Sequence, residues 1–231
     1  MIVYFIIKTK KEVLKMKFKQ IKVLHAVLMF LLFLSIPLFA EDAPTMDTLS
    51  KSIADTAKSI DFVWLLVEAF LVFWMQAGFA MVESGLTRAK NVGNILMKNL
   101  MDFAIGSVAF FAVGFAIMFG ADKAGLFGTS GFFLSNFKPG DDGSSWQYAF
   151  WLFQAAFCGA AATIVAGAMA ERMKFPAYLV YTAAVSSLVY PIVGHWIWNA
   201  QGWLAQMGFG DFAGSTVVHS TGGWISLAGT V

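Results

Sequence analysis

The sequence has little charge and a single cysteine. Charged residues make up 13% of the 231 residues and hydrophobic residues 58%, whereas soluble domains carry about 25% charge. This composition indicates a membrane protein. With Cys158 as the only cysteine, neither a disulfide framework nor a cysteine-based metal site is expected within the chain. Much of the lysine lies in the first 22 residues, so the formal charge of +2 does not indicate nucleic-acid binding.

The N-terminus has the layout of a secretory signal peptide. A basic stretch that starts near Met16 is followed by an apolar stretch and by the small residue Ala40, which is typical of a cleaved signal. We expect Met16 to be the true start, residues 1–40 to be an extension with a signal peptide, and the mature chain to begin at Glu41. An uncleaved membrane helix over 21–40 is the alternative.

Long apolar runs predict a polytopic helix bundle. A helix needs about 20 apolar residues to cross a bilayer, and the chain has four complete runs and a fifth that ends with the chain. The predicted spans are 62–82, 100–120, 148–170, 176–198 and 215–231. They are rich in Gly, Ala and Ser, which lets membrane helices pack closely. The expected fold class is all-α, with a periplasmic segment over 41–61 and a membrane domain over 62–231.

The loops alternate in charge, and this alternation predicts the orientation. Arg88, Lys90 and Lys98 follow the first span, and Arg172 and Lys174 follow the third. The other loops are Gly-rich and neutral or acidic. Because short basic loops are usually cytoplasmic, the N-terminus is predicted to lie outside, in agreement with a cleaved signal peptide.

Few ionisable residues lie in the predicted spans, and each is a functional candidate because a charge in lipid is costly. His219, in the fifth span, is either a pore-lining, proton-handling imidazole or a structural histidine bonded to a carbonyl. Asp211 is expected to cap the first turn of this span, and a carboxylate there would also attract cations. Glu68 either reaches the outer interface or pairs within the bundle, and His195 is expected to be interfacial or structural.

Aromatic residues cluster at the outer ends of the third and fourth spans. The cluster contains Trp146, Tyr148, Trp151, Phe153, Phe157, Trp196, Trp198 and Trp203. An interfacial aromatic belt accounts for most of them, but Phe157 lies deep in its span. Aromatic faces attract cations within about 6 Å, so a cation site at this mouth is the alternative interpretation.

The stretch DFAGSTVVH, residues 211–219, resembles a signature of the ammonium transporter / methylammonium permease / Rhesus family. Three further stretches resemble parts of the family's first, third and fourth spans, in the right order: MQAGFAMVESGLTRAKN, FQAAFCGAAATIVAGAMAERMKF and YPIVGHWIWNAQGWL. The resemblance covers residues 60–231. It implies the first inverted repeat, about five transmembrane helices, of a fold with about eleven helices in two halves.

The resemblance also implies roles for individual residues. Trp198, Phe157 and Phe153 match an outer ammonium recruitment site that works through cation–π contact, and Phe157 matches one half of a stacked gate. His219 matches the first of two facing pore histidines. Asp211 matches a buried aspartate that supports the site structurally. The second histidine, the second gate phenylalanine and a recruitment-site serine belong to the other half, so these 231 residues alone are not expected to conduct.

The expected function is therefore transport of ammonium or ammonia across the bacterial inner membrane. Ammonium would lose a proton at the mouth and pass the apolar pore as ammonia, which excludes potassium. The family forms homotrimers, and a cytoplasmic nitrogen-regulatory protein is an expected partner besides the lipid bilayer. Neither an enzyme activity nor a cofactor, a metal or nucleic acid is expected. An ammonium-sensing receptor, a Rhesus-type neutral-gas channel and an inactive partial chain are the alternatives.

Overall fold

A computed structural model of the chain describes residues 21, 22, 25 and 45–231. Apart from the three single residues, the predicted extension and signal peptide lie outside the described residues. The chain divides into two compact units, residues 1–55 and 56–231. The candidate site lies within the second unit.

Helices dominate the described part of the chain. They are α1 (Met46–Leu86), α2 (Val92–Ala109), α3 (Phe115–Phe119), α4 (Ser144–Ala168), α5 (Phe175–Ala184), α6 (Tyr190–Trp198), α7 (Trp203–Gln206) and α8 (Thr221–Thr230). Three π-helical segments lie between them, at Phe110–Gly114, Val185–Val189 and Ser215–Ser220. Short 3₁₀ turns occupy Ala89–Asn91 and Phe132–Leu134. The short strands β1 (Asp122–Lys123) and β2 (Phe127–Gly128) form an antiparallel hairpin.

Four helical stretches among the described residues are long and apolar enough to cross a membrane, by length and composition. They are Met46–Leu86, Ala89–Phe119, Ser144–Ala168 and Phe175–Gln206, and each overlaps one of the four complete predicted spans. The fifth predicted span is helical from Ser215 to Thr230. The first helix begins at Met46, well before its predicted span, and includes the more polar residues that precede Phe62. Hydropathy predicts the apolar part of a helix and not its polar extension.

The loop after α1 and the loop after α4 meet through an ion pair. The Arg88 guanidinium lies 2.6 Å from the Glu171 carboxylate, and the Arg88 backbone amide donates to the same carboxylate at 3.1 Å. The hydrogen bonds from Arg88, with one from Asn91, lower the pKa of Glu171 to about 2. The two loops predicted to be cytoplasmic therefore lie side by side.

The two loops predicted to lie outside also contact each other. The Trp196 indole nitrogen donates to the Leu126 carbonyl at 2.9 Å, and the Trp203 amide donates to the Gly125 carbonyl at 3.1 Å. The β1–β2 hairpin is thereby bonded to α6 at Trp196 and to the segment that follows α6 at Trp203. This grouping of loops fits the alternating topology, while the direction of insertion remains a prediction.

One boundary was predicted wrongly. Lys98 was placed in the basic loop after the first span, but it lies within α2 and its side chain is fully buried. Its ammonium group donates to the backbone carbonyls of Met169 and Met173 at 3.4 and 3.2 Å, and it lies 5.0 Å from the centre of the Tyr178 ring. A buried charge is tolerated where such partners replace water, and the charge pattern alone does not reveal them.

The second unit is held together by close helix packing. α2 packs against α4 and α5, α4 packs against α8, and α3 packs against α6. At Gly114, an added Cβ atom would collide with the Ser186 carbonyl and the Phe110 ring. Two of the π-helical segments therefore approach each other at a point where only a glycine fits.

Asp102 lies at the centre of a hydrogen-bonded cluster that joins helices. Its carboxylate accepts from the Tyr178 hydroxyl at 2.6 Å and from the Thr182 hydroxyl at 3.0 Å, both on α5. The Thr163 hydroxyl on α4 lies 3.2 Å from the other carboxylate oxygen. Asp102, Tyr178 and Thr182 are almost completely buried. In a membrane, such bonds must come from the protein because water is absent.

The cluster continues from α2 to α1 through an amide. Asn99 donates to the Glu83 carboxylate at 2.7 Å, and its carbonyl oxygen lies 2.8 Å from the Thr163 hydroxyl. Because a hydroxyl has one proton, Thr163 donates either to Asn99 or to Asp102. We refer to Glu83, Asn99, Asp102, Thr163, Tyr178 and Thr182 as the buried polar network. It joins four helices, α1, α2, α4 and α5.

Replacement of Asp102 should destabilise the bundle. Asp102→Ala leaves the hydroxyls of Tyr178, Thr182 and Thr163 without this acceptor, and at about 0.6 kcal/mol for each interhelical bond the loss is about 2 kcal/mol. Asp102→Asn keeps one carbonyl oxygen and should lose less. Thermal unfolding in detergent would measure both, with the exposed Asp142→Ala as the control. Equal unfolding midpoints for Asp102→Ala and Asp142→Ala would contradict this role.

Candidate functional site

The three predicted recruitment residues lie together. Trp198 is the last residue of α6, whereas Phe153 and Phe157 lie one turn apart on α4. The Phe157 and Trp198 ring centres are 5.5 Å apart, and the Phe153 and Phe157 ring centres are 4.9 Å apart, both in edge-to-face geometry. All three side chains are half-buried. We call these three residues the aromatic cluster.

Asp211 connects the aromatic cluster to the last helical segment. The Trp198 indole nitrogen donates to the Asp211 backbone carbonyl at 2.7 Å. The Asp211 carboxylate accepts from four successive backbone amides, those of residues 214 to 217, at 2.8 to 3.0 Å. Gly214 has a φ of +88°, which glycine adopts without strain. Asp211 therefore caps the segment that begins at Ser215, as the sequence indicated.

Capping also determines the charge of Asp211. Partial desolvation acts to raise the pKa of this carboxyl, but the four backbone amides outweigh it and hold the pKa below its usual value. The carboxylate is thus ionised at neutral pH. It shares this charge with amide protons at the start of a helical segment, where a negative charge is also favoured by the helix dipole.

His219 lies in the π-helical segment that Asp211 caps. Its amide donates to the Gly214 carbonyl at 3.0 Å, five residues earlier, which is the hydrogen bond of a π-turn. Its side chain is exposed, and within residues 45–231 it has no hydrogen bond or ring contact. The structure therefore links His219 to the aromatic cluster along the chain, through Asp211, without direct contact between them.

Sequence reasoning missed the buried polar network. Its residues are polar or ionisable and lie in predicted spans or close to their ends. Because a charge in lipid is costly, this placement could have identified the ionisable ones as candidates. The clearest local signal was the spacing of Lys98, Asn99 and Asp102, which lie on one side of α2. Their partners are far away in sequence, since Tyr178 follows Asp102 by 76 positions.

The fold and the site together define a class of protein. Several long apolar helices, a hydrogen-bonded buried polar network and an aromatic cluster beside a capped, histidine-bearing helical segment are features of a polytopic membrane transport protein. Among the described residues, no group of three His, Cys, Asp or Glu side chains is placed to hold a metal ion.

Comparison with known proteins identifies the family. The model of the Ammonium Transporter Family matches residues 63–231, and the chain belongs to this family. The chain is similar to ammonium transporter Amt2 of Archaeoglobus fulgidus, with 50% identity over 179 residues that cover 73% of the chain and 37% of that transporter. It is also similar to ammonium transporter 1 member 3 of Solanum lycopersicum, with 42% identity over 186 residues. This match covers 77% of the chain and 39% of that protein.

A solved structure shows the same fold. The structure named Sensor Amt Protein superposes with a TM-score of 0.68 at 42% identity, over 74% of the chain and 43% of that protein. The predicted fold class, an all-α membrane bundle that is part of an ammonium-transporter fold, is thereby confirmed. The chain spans about two fifths of the length of the curated relatives it matches.

Removal of the Asp211 cap should weaken the last helical segment. Loss of a helix cap costs about 1–2 kcal/mol, so Asp211→Ala should lower the unfolding midpoint at pH 7. The pKa of Asp211 is lower in the folded than in the unfolded state. Its contribution to the free energy of unfolding is therefore complete above the unfolded pKa of about 4 and is lost as the pH falls through the folded pKa. The difference in stability between the wild type and Asp211→Asn should therefore shrink only below about pH 4. A difference that grows on acidification would contradict the assignment.

Proposed function

We propose that this chain forms part of an ammonium transporter that recruits the cation at the aromatic cluster. The observation that supports this proposal most directly is the meeting of Trp198, Phe157 and Phe153 beside Asp211, within the region that matches the family model. The proposed substrate is ammonium, which is also named in the descriptions of the curated relatives.

Ring faces are suited to recruiting a small hydrated cation. A bare charge cannot enter an apolar channel without large cost, and an aromatic face replaces part of the lost hydration with up to about 2 kcal/mol of attraction. The Asp211 carboxylate is occupied by four amides. In this proposal the rings contact the cation, whereas Asp211 keeps the Trp198 indole in place through its backbone carbonyl.

Loss of a proton at the mouth would let neutral ammonia continue through an apolar pore. His219 is the proposed proton-competent group in this path, since an imidazole titrates near neutral pH. Within residues 45–231 its side chain is exposed and forms no hydrogen bond, which is compatible with this role. Potassium has no proton to lose, so such a pore would exclude it.

A sensing role is the second candidate. The 42% identity to the structure named Sensor Amt Protein favours this role. A transporter-like membrane domain is compatible with either transport or signalling. A Rhesus-type neutral-gas channel and an inactive partial chain are further alternatives. Electrical currents evoked by ammonium in the full-length protein would exclude neutral gas passage, and uptake without any effect on signalling would exclude the sensor.

The remaining features of the proposal concern the complete protein. We propose a multi-pass protein of the bacterial inner membrane with its N-terminus outside, after cleavage of a signal peptide. A homotrimer and a cytoplasmic nitrogen-regulatory partner are part of the same proposal. The ion pair between the loops that hold Arg88 and Glu171 would then lie on the cytoplasmic side.

Removal of the Trp198 ring should weaken recruitment. In the full-length protein, Trp198→Leu should raise the KM for methylammonium by up to about 30-fold, which corresponds to the loss of about 2 kcal/mol of cation–π attraction. Radiolabelled methylammonium uptake measures this, with Trp146→Leu, an exposed tryptophan on α4, as the matched control. An unchanged KM in Trp198→Leu would refute recruitment at this ring.

Removal of the His219 imidazole should abolish uptake or alter its selectivity without a loss of stability. Because the side chain is exposed within the described bundle, His219→Ala should leave the unfolding midpoint close to that of the neighbouring control Ser220→Ala. Uptake of methylammonium, with potassium as a competitor, measures selectivity. Normal selective uptake combined with a lower unfolding midpoint would instead support a structural histidine.

A further inference from the structure

His195 is a fully buried histidine with an acceptor at each ring nitrogen. Nδ1 lies 2.9 Å from the Met118 backbone carbonyl, and Nε2 lies 2.9 Å from the Asp122 carboxylate. The side chain has no exposed surface. A carbonyl oxygen and a carboxylate oxygen only accept, so each contact is a hydrogen bond when the ring nitrogen that faces it carries a proton. A neutral ring would turn a lone pair towards one of the two oxygens.

Asp122 is held as a carboxylate by its surroundings. The hydrogen bond from His195 and the Gly125 backbone amide, which lies 2.8 and 3.0 Å from the two carboxylate oxygens, keep the pKa of Asp122 below its usual value. The ionised carboxylate of Asp122 is thus a strong acceptor 2.9 Å from His195 Nε2. Lys123 is the next charged residue on the hairpin, and its ammonium group is directed to the Phe127 ring at 5.9 Å.

A second side chain from the same helix end joins this contact. The Asn199 amide nitrogen donates at 3.1 Å to the same Met118 carbonyl that accepts from His195. The Asn199 backbone amide in turn donates to the His195 carbonyl at 3.3 Å. We call the set of His195, Asp122, Met118 and Asn199 the hairpin clamp, because it fastens the end of α6 to the segment that enters the β1–β2 hairpin.

Trp198 lies between His195, in α6, and Asn199, the residue that directly follows α6. It follows His195 by three positions, less than one helical turn, and it directly precedes Asn199. Its backbone is therefore fixed on both sides, while its ring contacts Phe157 and its indole nitrogen bonds to Asp211. A shift of His195 away from Met118 would move the last turn of α6, and the Trp198 ring would move with it.

From this geometry we infer that His195 and Asp122 are positioning residues for Trp198. Through the hairpin clamp they set the orientation of the ring that faces the cation, and neither of them touches the cation. The inference rests on the proposed recruitment at Trp198. The β1–β2 hairpin carries no residue of the aromatic cluster. According to this inference, it nevertheless helps to determine the affinity of the aromatic cluster for the cation.

The test uses Asp122→Asn in the full-length protein, with methylammonium as the probe. This change keeps the size of the side chain and removes the carboxylate charge that faces His195 Nε2. We expect the KM to rise by about 3- to 10-fold, as for a weakened hydrogen bond to a charged group, while the maximal rate changes by less than about two-fold. Asp122→Glu, which restores the charge, should recover part of the affinity. The matched control is Lys123→Gln, which removes a charge from the adjacent exposed residue.

A double mutant separates positioning from general damage. If the hairpin clamp acts through Trp198, Asp122→Asn should raise the KM little further in a Trp198→Leu background, because coupled sites are not additive. Full additivity, or an unchanged KM in Asp122→Asn at normal membrane levels, would overturn the inference while leaving recruitment at Trp198 intact. An unchanged KM in Trp198→Leu alone would instead overturn the proposed function, and the inference with it.

Discussion

The lack of water inside a membrane bundle is the constraint on which this structure depends. Asp102 is fully buried, and each hydrogen bond that its carboxylate accepts comes from another helix. An unsatisfied polar group in such surroundings costs several kcal/mol, so α4 and α5 must stay where their hydroxyl groups reach it. Asn99 extends the same requirement to Glu83 on α1. The buried polar network thus fixes the relative positions of four helices through hydrogen bonds.

The same constraint shapes the region around the aromatic cluster in a different way. There, the two carboxylates are paired locally: Asp211 with four amides, and Asp122 with His195 and the Gly125 amide. Both pairings lie near Trp198: one is at the start of the last helical segment, and the other joins α6 to the β1–β2 hairpin. The ring is consequently held by two independent sets of bonds, and neither set places an unpaired charge against it.

The sequence allowed the long helices and most of the loops to be predicted, because these depend on local patterns, whereas the role of the recruitment residues stays a prediction. Hydropathy locates long helices such as Ser144–Ala168, and the DFAGSTVVH motif locates Asp211 and His219. Contacts between distant residues leave no such pattern. Lys98 was assigned to a loop because its charge suggested water, whereas carbonyls more than 70 positions away replace that water. The hairpin clamp, with 73 positions between Asp122 and His195, was invisible for the same reason.

The division between paired charges and neutral rings has a consequence for transport. A site that conducts an ion must bind it well enough to displace water and weakly enough to release it. An unpaired carboxylate at the mouth would hold a cation, and its proton, more strongly than a ring face does, since cation–π attraction at a desolvated ring is on the order of 2 kcal/mol. In the proposed mechanism, the four amides that engage Asp211 therefore do more than cap a helix. They keep its negative charge away from the cation, so that recruitment at Trp198 stays reversible and the proton can leave.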